Sequence, residues 1–363
     1  MLTFNQSGGN KYMSKYPFPK VDLHFHLDGS MVPETTWKLA KERNVQLPAD
    51  SLDGFKEFLV RTADCGDVGE YLARFDIPSA ILQDYDALYE TTYTTIQNVS
   101  DTLCYCEIRF APQKHTLKGL TQKDAIEAVL AGKKQAEKDF PQIKVGIIFC
   151  CMIEASFDNS KENIETVELF EQYYDHRHVV GLDLAGFEDS VPMSHYADLF
   201  VSPKEKGLPM TIHAGDNGIP ENCSTVIDYG AKRIGHGHHA FYDPKVLKKV
   251  IETQTALEIC LTSNIQCKTE PSYQQHPAKQ MMDLGAIVTL NTDNMVLANI
   301  TIEDEYDHAI NECGFTYNDL VQCNINSIKY SFMPEEDKQA YIDELNKYFK
   351  EEKIVLGPFE HKN

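Results

Sequence analysis

Short runs dense in apolar and β-branched residues alternate along this chain with longer stretches whose apolar positions recur at helical spacing. The runs are VDLHFH (21–26), TLCYCEIRF (102–110), IKVGIIFCC (143–151), HVVGLDLAG (178–186), LPMTIHAG (208–215), KRIGHG (232–237), ALEICL (256–261) and AIVTLNTD (286–293). Near-continuous apolar strands separated by amphipathic helices are the pattern of βαβ units around a parallel sheet. The stretch 121–140, TQKDAIEAVLAGKKQAEKDF, carries the helical half of that pattern, with charges opposite an apolar stripe. Repeated in this way, the pattern predicts an α/β fold, a (β/α)8 TIM barrel with additional helices. A doubly wound open sheet is the alternative, but no glycine-rich dinucleotide fingerprint follows the first strand.

Composition narrows the picture. In 363 residues, 42% hydrophobic and 25% charged, there is ample material for a core and no Pro/Gly-rich linker to divide it. Residues 13–363 are therefore expected to form a single barrel domain, and 1–12 an N-terminal extension or expression remnant. The 55 acidic and 34 basic residues give a net charge of -21. That charge opposes phosphate binding and points away from nucleic acid toward a small, neutral or cationic partner. The most apolar stretch, 145–153, is far shorter than the ~20 residues of a membrane helix, and no apolar leader opens the chain. Ten cysteines lie scattered in apolar contexts without a disulfide framework, which predicts reduced thiols in the cytoplasm.

Candidate chemistry gathers at the C-terminal ends of the strands. His24-Phe25-His26 ends the first run, and residues two apart on a strand face the same way, so both imidazoles can converge on one ion. His213-Ala214-Gly215-Asp216 ends the fifth run, Gly235-His236-Gly237-His238-His239 the sixth, and Asn291-Thr292-Asp293-Asn294 the eighth. A barrel brings such ends to one mouth, where they can form a His/His/His/Asp cage with a position left for water. Nitrogen and oxygen donors without thiolate suit one catalytic Zn2+, with other divalent ions open.

The ordered set KVDLHFHLDGS, YCEIRFAP, GLDLAG, TIHAGDNG, RIGHGHH, LEICLTSN, HP at 276–277 and TLNTDNM resembles the adenosine deaminases of the metal-dependent amidohydrolase superfamily, from about Lys20 to Phe332. The resemblance implies zinc-dependent hydrolytic deamination of adenosine or 2′-deoxyadenosine to the inosine counterpart, with release of ammonia from a purine nucleoside substrate. It matches His24, His26, His213 and Asp293 to metal ligands. It matches His236 to the histidine that orients and helps deprotonate the water, and Asp216 to the acid at purine N1. Asp28 falls on the ribose 5′-hydroxyl ligand, Gly186 on the backbone N–H at N3, and Asn294 on the partner of N7.

Two positions depart from the family pattern. Asp216 stands where most members have glutamate, and Asn294 where they generally have a second aspartate. An amide donates to N7 without needing a proton of its own, whereas an acid one methylene shorter must be re-sited. These departures leave open a modified adenosine, adenine or another amino-heterocycle as substrate, and a catalytically impaired metal-binding paralogue. The segment 51–60 is expected to be an apolar helix; the resemblance implies a gate over the ribose pocket, and a helix that simply covers the barrel is the alternative. Glu107 and Arg109 are expected to pair inside the barrel and His276 to support or pack, while His238 and His239 carry no assigned role. His115, His176, His178, His195, His308 and His361 are expected on the surface or in loops.

Overall fold

Each apolar run becomes a strand: β1 (Val21–His26), β2 (Tyr105–Phe110), β3 (Lys144–Ile153), β4 (Val179–Gly186), β5 (Thr211–Ala214), β6 (Arg233–His236), β7 (Ala256–Ile259) and β8 (Val288–Leu290). This computed structural model describes residues 14–66 and 73–351, with side chains as far as 347. The expected extension 1–12 lies outside the described residues, as does His361.

Neighbouring strands pair in parallel from β1 to β4 and from β5 to β8. Two seams close the barrel. At one, Leu182 bridges Met210 and its N–H donates to the Pro209 carbonyl at 3.2 Å. At the other, the His26 N–H donates to the Asp293 carbonyl at 2.9 Å and the Asp293 N–H to the His24 carbonyl at 2.8 Å. Backbone closure at this second seam thus runs through three candidate site residues.

Helices cover the outside because their sequences stop, start and stripe correctly. The helix Gln122–Asp139 buries Ala125, Ile126, Val129 and Ala136, and Thr121 caps it by accepting from the Asp124 N–H while Asp124 accepts from the Thr121 N–H. Such a cap contributes about 1 kcal/mol. The same Thr-x-x-Asp box starts the helices Ile302–Asn311 and Tyr317–Tyr330. The expected apolar segment 51–60 is the helix Leu52–Arg61, whose Phe55 and Leu59 are buried.

Inside the barrel a layer of charge replaces apolar packing. Glu107, Arg109, Asp183, Arg233 and Glu258 are fully buried. Arg109 donates to Asp183 and to Glu258, both at 2.8 Å, while Arg233 donates to Glu258 and Glu107. The expected pairing of Glu107 with Arg109 is corrected: two residues apart on β2 they share a face, so each reaches across the barrel to a different strand. No helix among the described residues is long and apolar enough to cross a membrane. The cysteines stand as thiols, buried apart from the half-buried Cys104.

Candidate active site and metal centre

β1 delivers two imidazoles to the mouth because its inward face carries Asp22, His24 and His26 in alternation. One ligand atom from each of His24, His26 and His213 lies within 4.8 Å of the others, and the same holds for His24, His236 and Asp293. Asp293 Oδ1 is 3.5 Å from His24 Nε2 and 3.4 Å from His26 Nε2. The structure therefore gathers all four expected ligands and His236 at one place.

Buried carboxylates below the rim decide which nitrogens face the centre. Glu258 takes His24 Nδ1 at 2.9 Å, and Asp183 takes His213 Nδ1 at 3.1 Å. An ionised carboxylate only accepts, so each Nδ1 carries the proton and each Nε2 offers a lone pair. His24 Nε2 is buried and makes no hydrogen bond with the described residues, an arrangement that a cation would complete. The donor set and this orphaned nitrogen fit a divalent ion.

Asp293 is held from three sides. Ser263 Oγ donates to its Oδ2 at 2.6 Å and Asn294 Nδ2 to its Oδ1 at 2.7 Å. Burial raises such a carboxyl, but the close approach of His24, with His26 and His236 nearby, holds it well below the usual range. His236 is pushed down to about 4, chiefly by burial, and is neutral at pH 7. Both residues occupy the left-handed backbone region, with φ of 62° at His236 and 60° at Asp293. Non-glycine residues hold that conformation at a cost of about 1–3 kcal/mol, which surrounding structure must enforce.

The β5 loop carries Asp216 beside this centre. Glu188 fixes the loop by accepting from the N–H groups of Gly215 at 2.7 Å and Asp216 at 3.0 Å, and from Asn222 Nδ2 at 2.7 Å. Asn264 Nδ2 donates to Asp216 Oδ1 at 2.8 Å and reaches His236 Nδ1 at 3.2 Å, while His276 Nε2 lies 3.1 Å from Asn264 Oδ1. An amide nitrogen only donates, so the network assigns the His236 proton to Nε2.

The remaining candidates line the same mouth. Asp28 borders a cavity of about 240 Å3 whose other walls include Phe55, Phe58, Leu59 and Val296, and burial pushes its carboxyl up to about 6. Gly186 ends β4 with φ of 129°, and a Cβ there would sit 2.6 Å from the Ile153 carbonyl oxygen, so only glycine fits. Asn294 spends one N–H on Asp293, and its Oδ1 lies so near Gly29 that a Cβ there would be at 1.9 Å.

Sequence reasoning missed Asp183, Glu188, Glu258, Ser263 and Asn264. A signal existed for two of them: Asp183 and Glu258 are lone acids inside apolar strands, where burial demands a partner. His276 supports Asn264, as expected of it. His115 is corrected from a surface position: it is buried, 2.8 Å from the Leu82 carbonyl, in a 3-10 turn that tucks it against Phe110.

A family model described as adenosine deaminase matches residues 19–348. The adenosine deaminase of Haemophilus ducreyi is 38% identical over 89% of this chain and 94% of its own length. Among solved structures, an adenine deaminase from Arthrobacter aurescens has a TM-score of 0.82 at 22% identity, covering 92% of this chain and 99% of that one. An amidohydrolase from Burkhoderia ambifaria with bound Zn has a TM-score of 0.81 at 22% identity, covering 92% and 91%. These two share the barrel fold.

Proposed function

The chain belongs to the adenosine deaminase family of hydrolytic deaminases, and from that premise we propose that it converts adenosine and 2′-deoxyadenosine to inosine and 2′-deoxyinosine with release of ammonia. The observation that carries this reading is the convergence of His24, His26, His213, His236 and Asp293 on one point, with His24 Nε2 left without a hydrogen bond. The family is metal-dependent. His24, His26, His213 and Asp293 would hold the ion, and zinc suits their nitrogen and oxygen atoms; a neighbour of the same fold carries Zn. Bound there, the ion supplies Lewis acidity that lowers the pKa of water from 15.7 toward ~7.

The chain's own groups do the rest. His236, neutral and protonated on Nε2, holds the attacking oxygen by donating to it. Asp216 delivers a proton to purine N1 as attack at C6 moves the C6–N1 π pair onto N1, an acid step worth typically 10²–10⁴-fold. The proton left on the added oxygen then passes to the amino group, the C6–N bond breaks, and ammonia departs as C6=O forms. Asn264 and Glu188 act through Asp216 by fixing its carboxyl and its backbone. Asp28 accepts the ribose 5′-hydroxyl, Gly186 presents its N–H to N3, and Asn294 donates to N7. The helix Leu52–Arg61 covers the mouth and keeps bulk water out. The thiols fit a reducing cytoplasm.

Ultraviolet absorbance separates adenosine from inosine, so one assay tests the reading. Metal-replete protein is expected to turn over adenosine and deoxyadenosine, and chelation to abolish turnover until the metal returns. Turnover confined to adenine or N6-substituted adenosines would replace the substrate assignment, and silence toward all of them would leave a binding protein.

A further inference from the structure

A second cluster of ligand atoms lies behind the proposed acid. The turn His238–Tyr242 places His238 and His239 beside Glu270, and one ligand atom from each of the three lies within 4.8 Å of the others. His238 is fully buried, yet neither ring nitrogen hydrogen-bonds with any described residue. A neutral imidazole has one donor and one acceptor to satisfy, and a buried one normally finds both. Its Nε2 faces Glu270 Oε1 at 3.7 Å, and its Nδ1 faces Asp216 Oδ1 at 3.9 Å. The first distance is close to the spacing of two donors that each bond one ion at ~2.1 Å.

The other two residues are set as ligands. His239 Nδ1 lies 3.1 Å from the Gly215 carbonyl, which only accepts, so the proton is on Nδ1 and Nε2 offers its lone pair. Glu270 is buried, and its two oxygens are fixed by the Tyr242 hydroxyl at 3.1 and 3.0 Å. None of the three is needed for the deamination chemistry described above. We propose that His238, His239 and Glu270 form a second divalent-cation site, distinct from the centre built on β1, β5 and β8, for a borderline ion that accepts nitrogen and oxygen donors. An ion on His238 Nε2 leaves the imidazole proton on Nδ1, aimed at Asp216. Occupancy therefore adjusts the acid that the deaminase reading assigns to N1, and only this last step rests on that reading.

Metal-stripped full-length protein titrated with Co2+, followed by visible d–d absorption and checked by elemental analysis, decides the matter. The native chain is expected to take up two equivalents. Glu270→Gln and His238→Phe should each weaken the second binding step by at least about tenfold and leave the first untouched. A native chain that saturates at one equivalent overturns the second site while the deaminase reading stands. So does full retention of two equivalents in both variants. Uptake of no Co2+ at all overturns this site and the metal centre together.

Discussion

The barrel interior and the barrel mouth hold their charges in opposite ways. In the interior, Arg109 and Arg233 each meet two carboxylates, every member is fully buried, no ordinary backbone rule is broken, and of this network only Arg109 Nε makes no hydrogen bond with the described residues. A few ångströms above, His236 and Asp293 sit in the left-handed region, and His24 and His238 keep nitrogens without hydrogen bonds. Buried polar groups are normally satisfied, and strained or unsatisfied ones concentrate where chemistry is done. Glu258 joins the two regions: Oε1 accepts from Arg233 and from Thr211 at 2.8 Å, while Oε2 accepts from Arg109 and His24. The interior network is thus the fixed base that keeps the mouth in a conformation it would not adopt alone.

That division of labour predicts unequal damage. Glu258→Gln removes the charge shared by two buried guanidinium groups and is expected to cost about 3–5 kcal/mol of stability, because breaking a buried pair leaves charge uncompensated. It should also loosen His24 and weaken metal binding by roughly 10–100-fold. His236→Asn should do the reverse, lowering kcat by on the order of a hundredfold while stability holds, since asparagine accepts the left-handed backbone. Urea unfolding and kcat measured on both variants check the contrast. Equal losses of stability in the two would erase the distinction between base and mouth.

Asp216→Glu sharpens the comparison within the mouth itself. Asp216 is one methylene shorter than the family pattern, yet Asn264 and Thr269 hold its Oδ1 and Glu188 holds its N–H. The surroundings have been built for the short acid, so the longer one is expected to displace its carboxyl by more than 1 Å and lower kcat/KM for adenosine by about a hundredfold. A rise in kcat/KM would mean instead that the shorter acid is a handicap the loop has not absorbed.

The same contrast explains what the sequence could disclose. Strands β1 to β8 were legible because apolar runs bounded by helical stretches have few other ways to fold. His24, His26, His213, His236 and Asp293 were legible because a strand end puts chemistry at the mouth whatever its partners are. The partners themselves were not legible. Glu107 and Arg109 share a face of β2, and only the closed barrel shows that each prefers a residue more than 70 positions away. Asn264 and Glu188 lie in loop or short-helix segments whose sequence carries no period, and their roles depend on where Asp216 ends up in space.

His115 gives the mildest test of burial outside both regions. Expected on the surface or in a loop, it instead donates from Nδ1 to the Leu82 carbonyl in a closed space. Burial pushes it down to about 4, so in the folded chain it stays neutral where the unfolded chain, near 6.5, already takes a proton. The sign follows: the unfolded state binds more protons as pH falls below 6.5, and stability drops across that window toward 4. Between pH 7 and 5.5 this one group should account for roughly 1 kcal/mol of the loss. His115→Gln keeps a donor for Leu82 but cannot titrate, so its urea-unfolding free energy should fall less over that interval, by about that amount. Identical slopes for native and variant chains would mean that His115 takes up its proton in the folded state too, and that the turn around it opens to water.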